Sequence, residues 1–277
     1  MIFKYITNKP ELAKFAVGCG VNRIFIDMEH IGKDRRQGHL NAHRATHTTE
    51  DVLHIRAAIP HTELMVRVNP VYEGTETEVN GAINAGADVI MLPMFTTAEE
   101  VKYVAELING RARFCPLLET PQALVRLDDI LAATDAIDEM HIGLNDLHLG
   151  MGLSFMFEVL TGGLVAFAAD KIREKGIRFG FGGIARLGQG AVAAELILGE
   201  HVRLGSEMVI LSRTFHKNSE YVQELVQKVN MKEEIDKLND CLEYFRKAPA
   251  SVLLENKNQL AQAVRQQAEA SERVKQV

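Results

Sequence analysis

The sequence predicts an α/β fold, a (β/α)8 TIM barrel followed by a C-terminal helical extension. Three observations predict it. Short apolar runs with the length and composition of buried strands recur eight times between residues 2 and 205, alternating with helical patterns. Two of these runs, residues 114–118 and 140–145, frame a helical stretch and lead into Glu119 and Asp146, forming a strand–helix–strand unit of about 30 residues. Finally, Asp27, Glu29, His30, Arg67, Glu119 and Asp146 all stand where a strand ends, the rim at which such a barrel carries its chemistry.

Residues 2–6 form the first strand, and a helix over 11–17 ends near Gly18 and Gly20. The second strand, 23–26, delivers Asp27, Met28, Glu29 and His30. Residues 31–47 are polar and read as a long loop. Thr48 with Asp51 has the capping-box pattern that starts the next helix. The third strand, 64–66, ends on Arg67, and Asn69-Pro70 turns the chain away. A helix through 80–85 precedes the fourth strand, 87–93. After the fifth strand, Thr120-Pro121 opens a helix to Thr134 with Leu124, Leu127, Ile130 and Leu131 on its apolar side. Helical residues 161–175 lead to the seventh strand, 177–181. A glycine-rich loop, 182–190, opens a helix over 191–198, and 202–205 is the eighth strand.

Beyond Phe215 the character changes. Residues 221–245 are charged and helical, with Val222, Leu225, Val229, Ile235, Leu238, Leu242 and Phe245 on one stripe. Pro249 interrupts, and 251–277 is a second polar helix with a thin stripe of Leu253, Leu260 and Val264. The division expected is a catalytic barrel over 1–216 and an extension over 217–277 that packs on the barrel or on a neighbouring subunit.

Composition excludes several classes. The chain of 277 residues, 47% hydrophobic and 25% charged, has the make-up of a soluble globular protein with one large domain and an appendage. A net charge of -6 gives no support for nucleic-acid or membrane-surface binding. Cys19, Cys115 and Cys241 are scattered, without metal spacing, and read as free thiols in a reducing compartment. With no signal pattern and no stretch of membrane-span length, the expected location is the cytoplasm.

Glu119 and Asp146 leave the same end of neighbouring strands. Two carboxylates meeting at one rim repel unless a cation sits between them, and oxygen donors suit Mg2+ or Mn2+, with Co2+ a further candidate. Arg67 at the same rim suits an anionic substrate or a developing enolate, or else an ion pair with a neighbouring acid. Asp27 is close enough in sequence to orient His30 as a general base, with Glu29 positioning either partner. His39, His43 and His47 have four-residue spacing that would align them as ligands on a helix, but Gly38 and the cap at Thr48 place them in a solvated loop. The loop at 182–190 stands where many barrels hold phosphate, and a tight turn over the mouth accounts for it equally.

With these residues in place, the sequence resembles the HpcH/HpaI aldolase and citrate lyase family, metal-dependent barrels of the phosphoenolpyruvate/pyruvate-binding superfamily. The likeness spans residues 1–215. It rests on Ile26-Asp27-Met28-Glu29-His30, Arg67-Val68-Asn69-Pro70, Met91-Leu92-Pro93-Met94, Leu118-Glu119-Thr120 and Ile142-Gly143-Leu144-Asn145-Asp146-Leu147. The resemblance implies that Glu119 and Asp146 hold the metal, that Arg67 binds substrate and steadies the enolate, and that His30 and Asp27 carry protons. It also implies that backbone amides of Gly143, Leu144, Asn145 and Asp146 meet the substrate carboxylate. Leu144 stands where the family's pyruvate aldolases commonly have Pro, Asn145 where a small residue is usual, and Leu117 where Gln is frequent. Lys33, Arg35, Arg36 and Gln37 add a basic cluster that a simple aldolase does not need.

The expected activity is a divalent-metal-dependent carbon–carbon lyase (aldolase) acting next to a 2-keto acid through a pyruvate enolate. The expected assembly is a homo-oligomer with no nucleic-acid or membrane partner. Two alternatives are a phosphoenolpyruvate- or CoA-ester-using lyase on the same scaffold, motivated by the basic cluster and the glycine-rich loop, and a non-catalytic barrel used for binding or assembly.

Overall fold

The structure, a computed structural model, describes residues 1–33 and 47–275. Eight parallel strands close a barrel in chain order. They are β1 (Ile2–Ile6), β2 (Arg23–Asp27), β3 (Glu63–Arg67), β4 (Val89–Leu92), β5 (Arg113–Leu118), β6 (Glu139–Ile142), β7 (Arg178–Ile184) and β8 (Met208–Leu211). Closure runs through the pairing of Ile2 with Met208 and Lys4 with Ile210. Around them lie α1 (Pro10–Gly18), α2 (Thr49–Ala58), α3 (Thr75–Asn84), α4 (Ala98–Ile108), α5 (Pro121–Val125), α6 (Leu127–Ala132), α7 (Leu144–Gly150), α8 (Glu158–Thr161), α9 (Leu164–Glu174) and α10 (Ala194–Leu204).

Alternation of side chains along each strand makes two cores. Phe25, Met65, Val89, Met91, Cys115 and Leu117 fill the lumen. Ile24, Ile26, Leu64, Val66, Ile90 and Leu92 point outward and pack under the helices. Each such side chain, withdrawn from water, contributes about 1.5–3 kcal/mol. The floor of the lumen is ionic. Arg23, with no exposed surface, donates from Nε and Nη2 to Glu63 Oε2 at 2.9 and 2.7 Å and from Nη2 to Glu139 Oε2 at 3.2 Å. Arg178 reaches the same Glu139 Oε2 at 3.3 Å, and Arg113 pairs with Glu63. Register explains the network, because Arg23 lies beside Glu63 and Glu139 beside Arg178 on adjacent strands.

Several expected boundaries move. Residues 202–205 are not the eighth strand. They finish α10, with Gly205 (φ 74°) turning the chain in the left-handed region, and Met208–Leu211 forms β8 instead. A short run of Val, Leu and Gly has no period of its own, and Arg203 bonds back to Glu200 one helical turn away. The sixth strand stops at Ile142, so Asp146 rides in the first turn of α7. β7 runs on through Gly182 and Gly183 to Ile184, which takes the front of the glycine-rich loop into the sheet. Thr120 caps its helix through Ala123 N as its sequence suggests, but the helix breaks at Arg126 into α5 and α6. The Thr48–Asp51 capping box is present at the start of α2.

The C-terminal stretch forms α11 (Val222–Lys228), α12 (Met231–Lys247) and α13 (Ala250–Lys275). An extended Val229 separates the first two, and Asn230 caps the second through Glu233 N. Ile235, Leu238 and Leu242 are buried, as are Leu260 and Val264. Both long helices pack on α10, where Asn256 Nδ2 donates to Leu196 O at 2.9 Å.

Candidate active site

Asp27 and Arg67 are register partners on β2 and β3, so their side chains leave the barrel mouth side by side. The result is a bidentate pair: Arg67 Nε donates to Asp27 Oδ1 at 2.8 Å and Nη2 to Oδ2 at 2.7 Å. Arg67 Nη1 lies 3.3 Å from Glu29 Oε2, and the guanidinium sits 5.7 Å from the centre of the Phe25 ring. Lys33 Nζ closes the other side, 2.7 Å from Asp27 Oδ2 and 3.1 Å from the Glu29 carbonyl. Against the upward pull of burial, these two cations hold the Asp27 carboxyl well below the usual carboxylate range. Arg67, largely buried, is in turn raised well above its ordinary value by Asp27 and Glu29 against the downward pull of burial.

Glu119 follows β5 directly and is 3% exposed. Its Oε1 accepts the Met94 N–H at 3.2 Å, and Met94 holds the left-handed conformation (φ 55°) just after β4. Gly143 lies against the same carboxylate, where a Cβ would come 2.7 Å from Glu119 Cβ and 2.8 Å from Oε2. Burial first, and then the neighbouring Asp146 carboxylate, push the Glu119 carboxyl well above its ordinary value, only partly opposed by Arg67. The mouth therefore brings Asp27 and Glu29 onto Arg67 and Lys33, and sets the buried Glu119 carboxyl in the field of Asp146. The carboxylate oxygens of Glu119 and Asp146 are donors of the kind a hard divalent cation takes. Among the described residues, no group of three or more His, Cys, Asp or Glu side chains gathers as a potential metal centre.

The expected Asp27–His30 pair is not formed. Asp27 is taken by Arg67 and Lys33, because two permanent cations outcompete a neutral imidazole for a carboxylate. His30 is exposed at the rim, with Nδ1 3.1 Å from the Met28 carbonyl. A carbonyl only accepts, so Nδ1 carries the proton and Nε2 is left as the basic nitrogen.

The turn after β6 also departs in part from expectation. The Gly143 N–H is spent on the Leu118 carbonyl at 2.9 Å, and the Leu144 side chain is buried in the core, so it offers only its backbone. The first-turn amides of α7, from Leu144 to Asp146, have no acceptor within the helix.

Four residues join the site without having been singled out for it. His47 accepts the Asp27 N–H on Nδ1 at 3.0 Å, drawing one of the three spaced histidines to the mouth. His39 and His43 lie outside the described residues, as do Arg35, Arg36 and Gln37. Lys33 is committed to Asp27 and Glu29. Met94 and Asn69 act through backbone geometry and amide bonds, and a methionine in the left-handed region has no sequence signal. The Asn-Pro turn after Arg67 was the one available hint for Asn69.

The family model for HpcH/HpaI aldolase/citrate lyase matches residues 1–182. Among solved structures, an HpcH/HpaI aldolase from Desulfitobacterium hafniense DCB-2 superposes with a TM-score of 0.59 at 15% identity, covering 90% of this chain and 94% of that one. An HpcH/HpaI aldolase/citrate lyase family protein from Burkholderia cenocepacia J2315 gives 0.62 at 15%, covering 89% and 95%. The citrate synthase SbnG gives 0.60 at 14%, covering 86% and 94%. At these identities the likeness is one of fold. A pyruvate kinase from Methylorubrum extorquens (strain ATCC 14718 / DSM 1338 / JCM 2805 / NCIMB 9133 / AM1) is 35% identical over 80 residues, which make up 29% of this chain and 16% of that protein.

Proposed function

The chain belongs to the HpcH/HpaI aldolase/citrate lyase family, and from that premise we propose that it is a metal-dependent aldolase cleaving or forming a carbon–carbon bond next to a 2-keto acid. The observation that carries the reading is the Glu119 carboxyl, 3% exposed at the barrel mouth and set in the field of both the Asp146 carboxylate and the Arg67 guanidinium. A divalent cation held by these two acids, Mg2+ or Mn2+ with Co2+ as a third candidate, supplies the positive charge that makes enolisation of the keto acid accessible. Arg67, clamped from two sides by Asp27 and Glu29, presents a pre-oriented cation to the anionic substrate and to the negative charge that develops as the bond breaks.

Proton handling falls to His30. Its Nε2 takes the proton from the 4-hydroxyl, the C3–C4 bond breaks, and the electron pair remains on the pyruvate fragment as its enolate. The imidazolium then returns the proton to C3, and an aldehyde and pyruvate leave. Asp27 serves as the anchor for Arg67, because a carboxylate paired with two cations is a weak base. The amides at the start of α7, with Asn145 and Asp146, are proposed to meet the substrate carboxylate.

The fragmentary likeness to a pyruvate kinase favours pyruvate itself as the keto-acid portion. The reading takes a homo-oligomer as the working assembly. Among the described residues, no helix is long and apolar enough to cross a membrane. The test is pyruvate release from a panel of 4-hydroxy-2-keto acids, assayed with Mg2+ or Mn2+ and after chelation. Turnover that needs the metal and disappears in Glu119→Gln is the expected result; turnover unaffected by chelation overturns the proposal.

A further inference from the structure

We propose that Asn69 and Glu78 are positioning residues that fix the tautomer and placement of His30. The inference rests on the reading of His30 as the proton carrier, but the geometry behind it stands apart from the metal site. Asn69 is buried just beyond β3, and all four of its polar contacts agree on its orientation. Its Oδ1 accepts the His30 and Ile31 backbone N–H groups, each at 2.9 Å. Its Nδ2 donates to Glu78 Oε1 at 2.7 Å and to the Met28 carbonyl at 3.4 Å. Rotating the amide by half a turn would set donor against donor at Oδ1, so only this arrangement is satisfied. The Met28 carbonyl that Asn69 supports is the one that accepts the hydrogen bond from His30 Nδ1–H. A single side chain thus holds both the backbone of His30 and the acceptor of its ring.

Glu78 on α3 completes the bracket. Both of its oxygens are taken by Asn69, Oε1 by the side-chain amide and Oε2 by the backbone N–H at 3.1 Å. The carboxylate on α3 therefore holds Asn69 by both its side-chain amide and its backbone.

The experiment uses the full chain with metal present. Asn69→Ala is expected to lower kcat about tenfold with KM changed less than about twofold, since a misplaced proton carrier slows the chemical step rather than binding. In a His30→Ala background the same substitution should have no further effect; additive losses would mean a general structural role and overturn the proposal. Glu78→Ala removes both acceptors that hold Asn69, so kcat should fall by about threefold or more with KM little changed, and the loss should vanish in the His30→Ala background. A kcat unchanged by Glu78→Ala overturns the part assigned to Glu78.

A second readout does not need turnover. With 15N-labelled histidine, the His30 ring should show the Nδ1–H tautomer in the parent protein and a mixture in Asn69→Ala and Glu78→Ala. Identical ring signals in all three overturn the inference. If the parent protein has no lyase activity, the proposed function fails while this spectrum still decides the role of Asn69.

Discussion

The two ends of the barrel are built from the same ingredients and differ in how the charges balance. At the floor, Arg23, Arg113 and Arg178 meet Glu63 and Glu139, so each acid is held by two arginines, and the surplus is positive and partly solvated at Arg113 and Arg178. At the mouth, Asp27 and Glu29 share Arg67 and Lys33, while Glu119 lies in the field of Asp146. Asp27 is saturated, but Glu119 has one amide hydrogen bond and a repelling neighbour in Asp146. A buried acid answered by two guanidinium groups is a plug, whereas one held by a single amide beside a second carboxylate is suited to receive a cation. The comparison teaches that partner count, more than residue type, separates structure from site.

The contrast predicts opposite outcomes for losing an acid at the mouth and a cation at the floor. Glu119→Gln should reduce metal-dependent turnover by at least roughly a hundredfold while leaving the circular dichroism spectrum and the unfolding midpoint of the metal-free protein intact or raised. Equal loss of stability and activity would erase the distinction. Arg23→Met should do the reverse. Glu139 would lose its fully buried partner, at about 3–5 kcal/mol in urea unfolding, while kcat per folded molecule stays within about twofold.

A smaller effect sharpens the same point through pH. Burial and Asp146 raise the Glu119 carboxyl, so the folded, metal-free protein binds a proton that the unfolded chain releases at its ordinary carboxylate value. Stability from this group therefore falls as pH rises from that ordinary value to the raised folded one, and the full penalty remains above it. Metal must displace that proton, so affinity should weaken as pH drops through the raised value, and calorimetry in buffers of different ionisation enthalpy should detect proton release that Glu119→Gln removes. The smallest effect expected is for Gly143→Ala. Its methyl would press on Glu119 Cβ and Oε2, and metal affinity should drop roughly tenfold with little change in KM for a substrate at saturating metal. Unchanged affinity would show that the carboxylate does not need its present place.

Much of this was legible in the chain. The alternation of apolar runs and helical stretches marked the barrel, because burial on both faces makes parallel strands continuous and apolar. Acids and bases at strand ends marked the rim. What went astray had physical causes. Residues 202–205 resemble a strand end because four residues carry no period, and only the packing of α10 shows them as a helical turn. His30 and Asp27 are neighbours in sequence, yet the stronger competitor for Asp27 comes from β3, forty residues on. Met94 stood in the family-like run 91–94, but its role was not legible there, since its contribution is a backbone N–H aimed by a left-handed residue.

By itself, the sequence determined the kind of fold, the rim on which chemistry would stand and the acids that crowd it, because periodicity and strand-end position are local properties of the chain. The tertiary structure alone decided which charge answers which. Pairing depends on strand register and burial: one brought Arg67 beside Asp27, and the other left Glu119 short of a counter-charge.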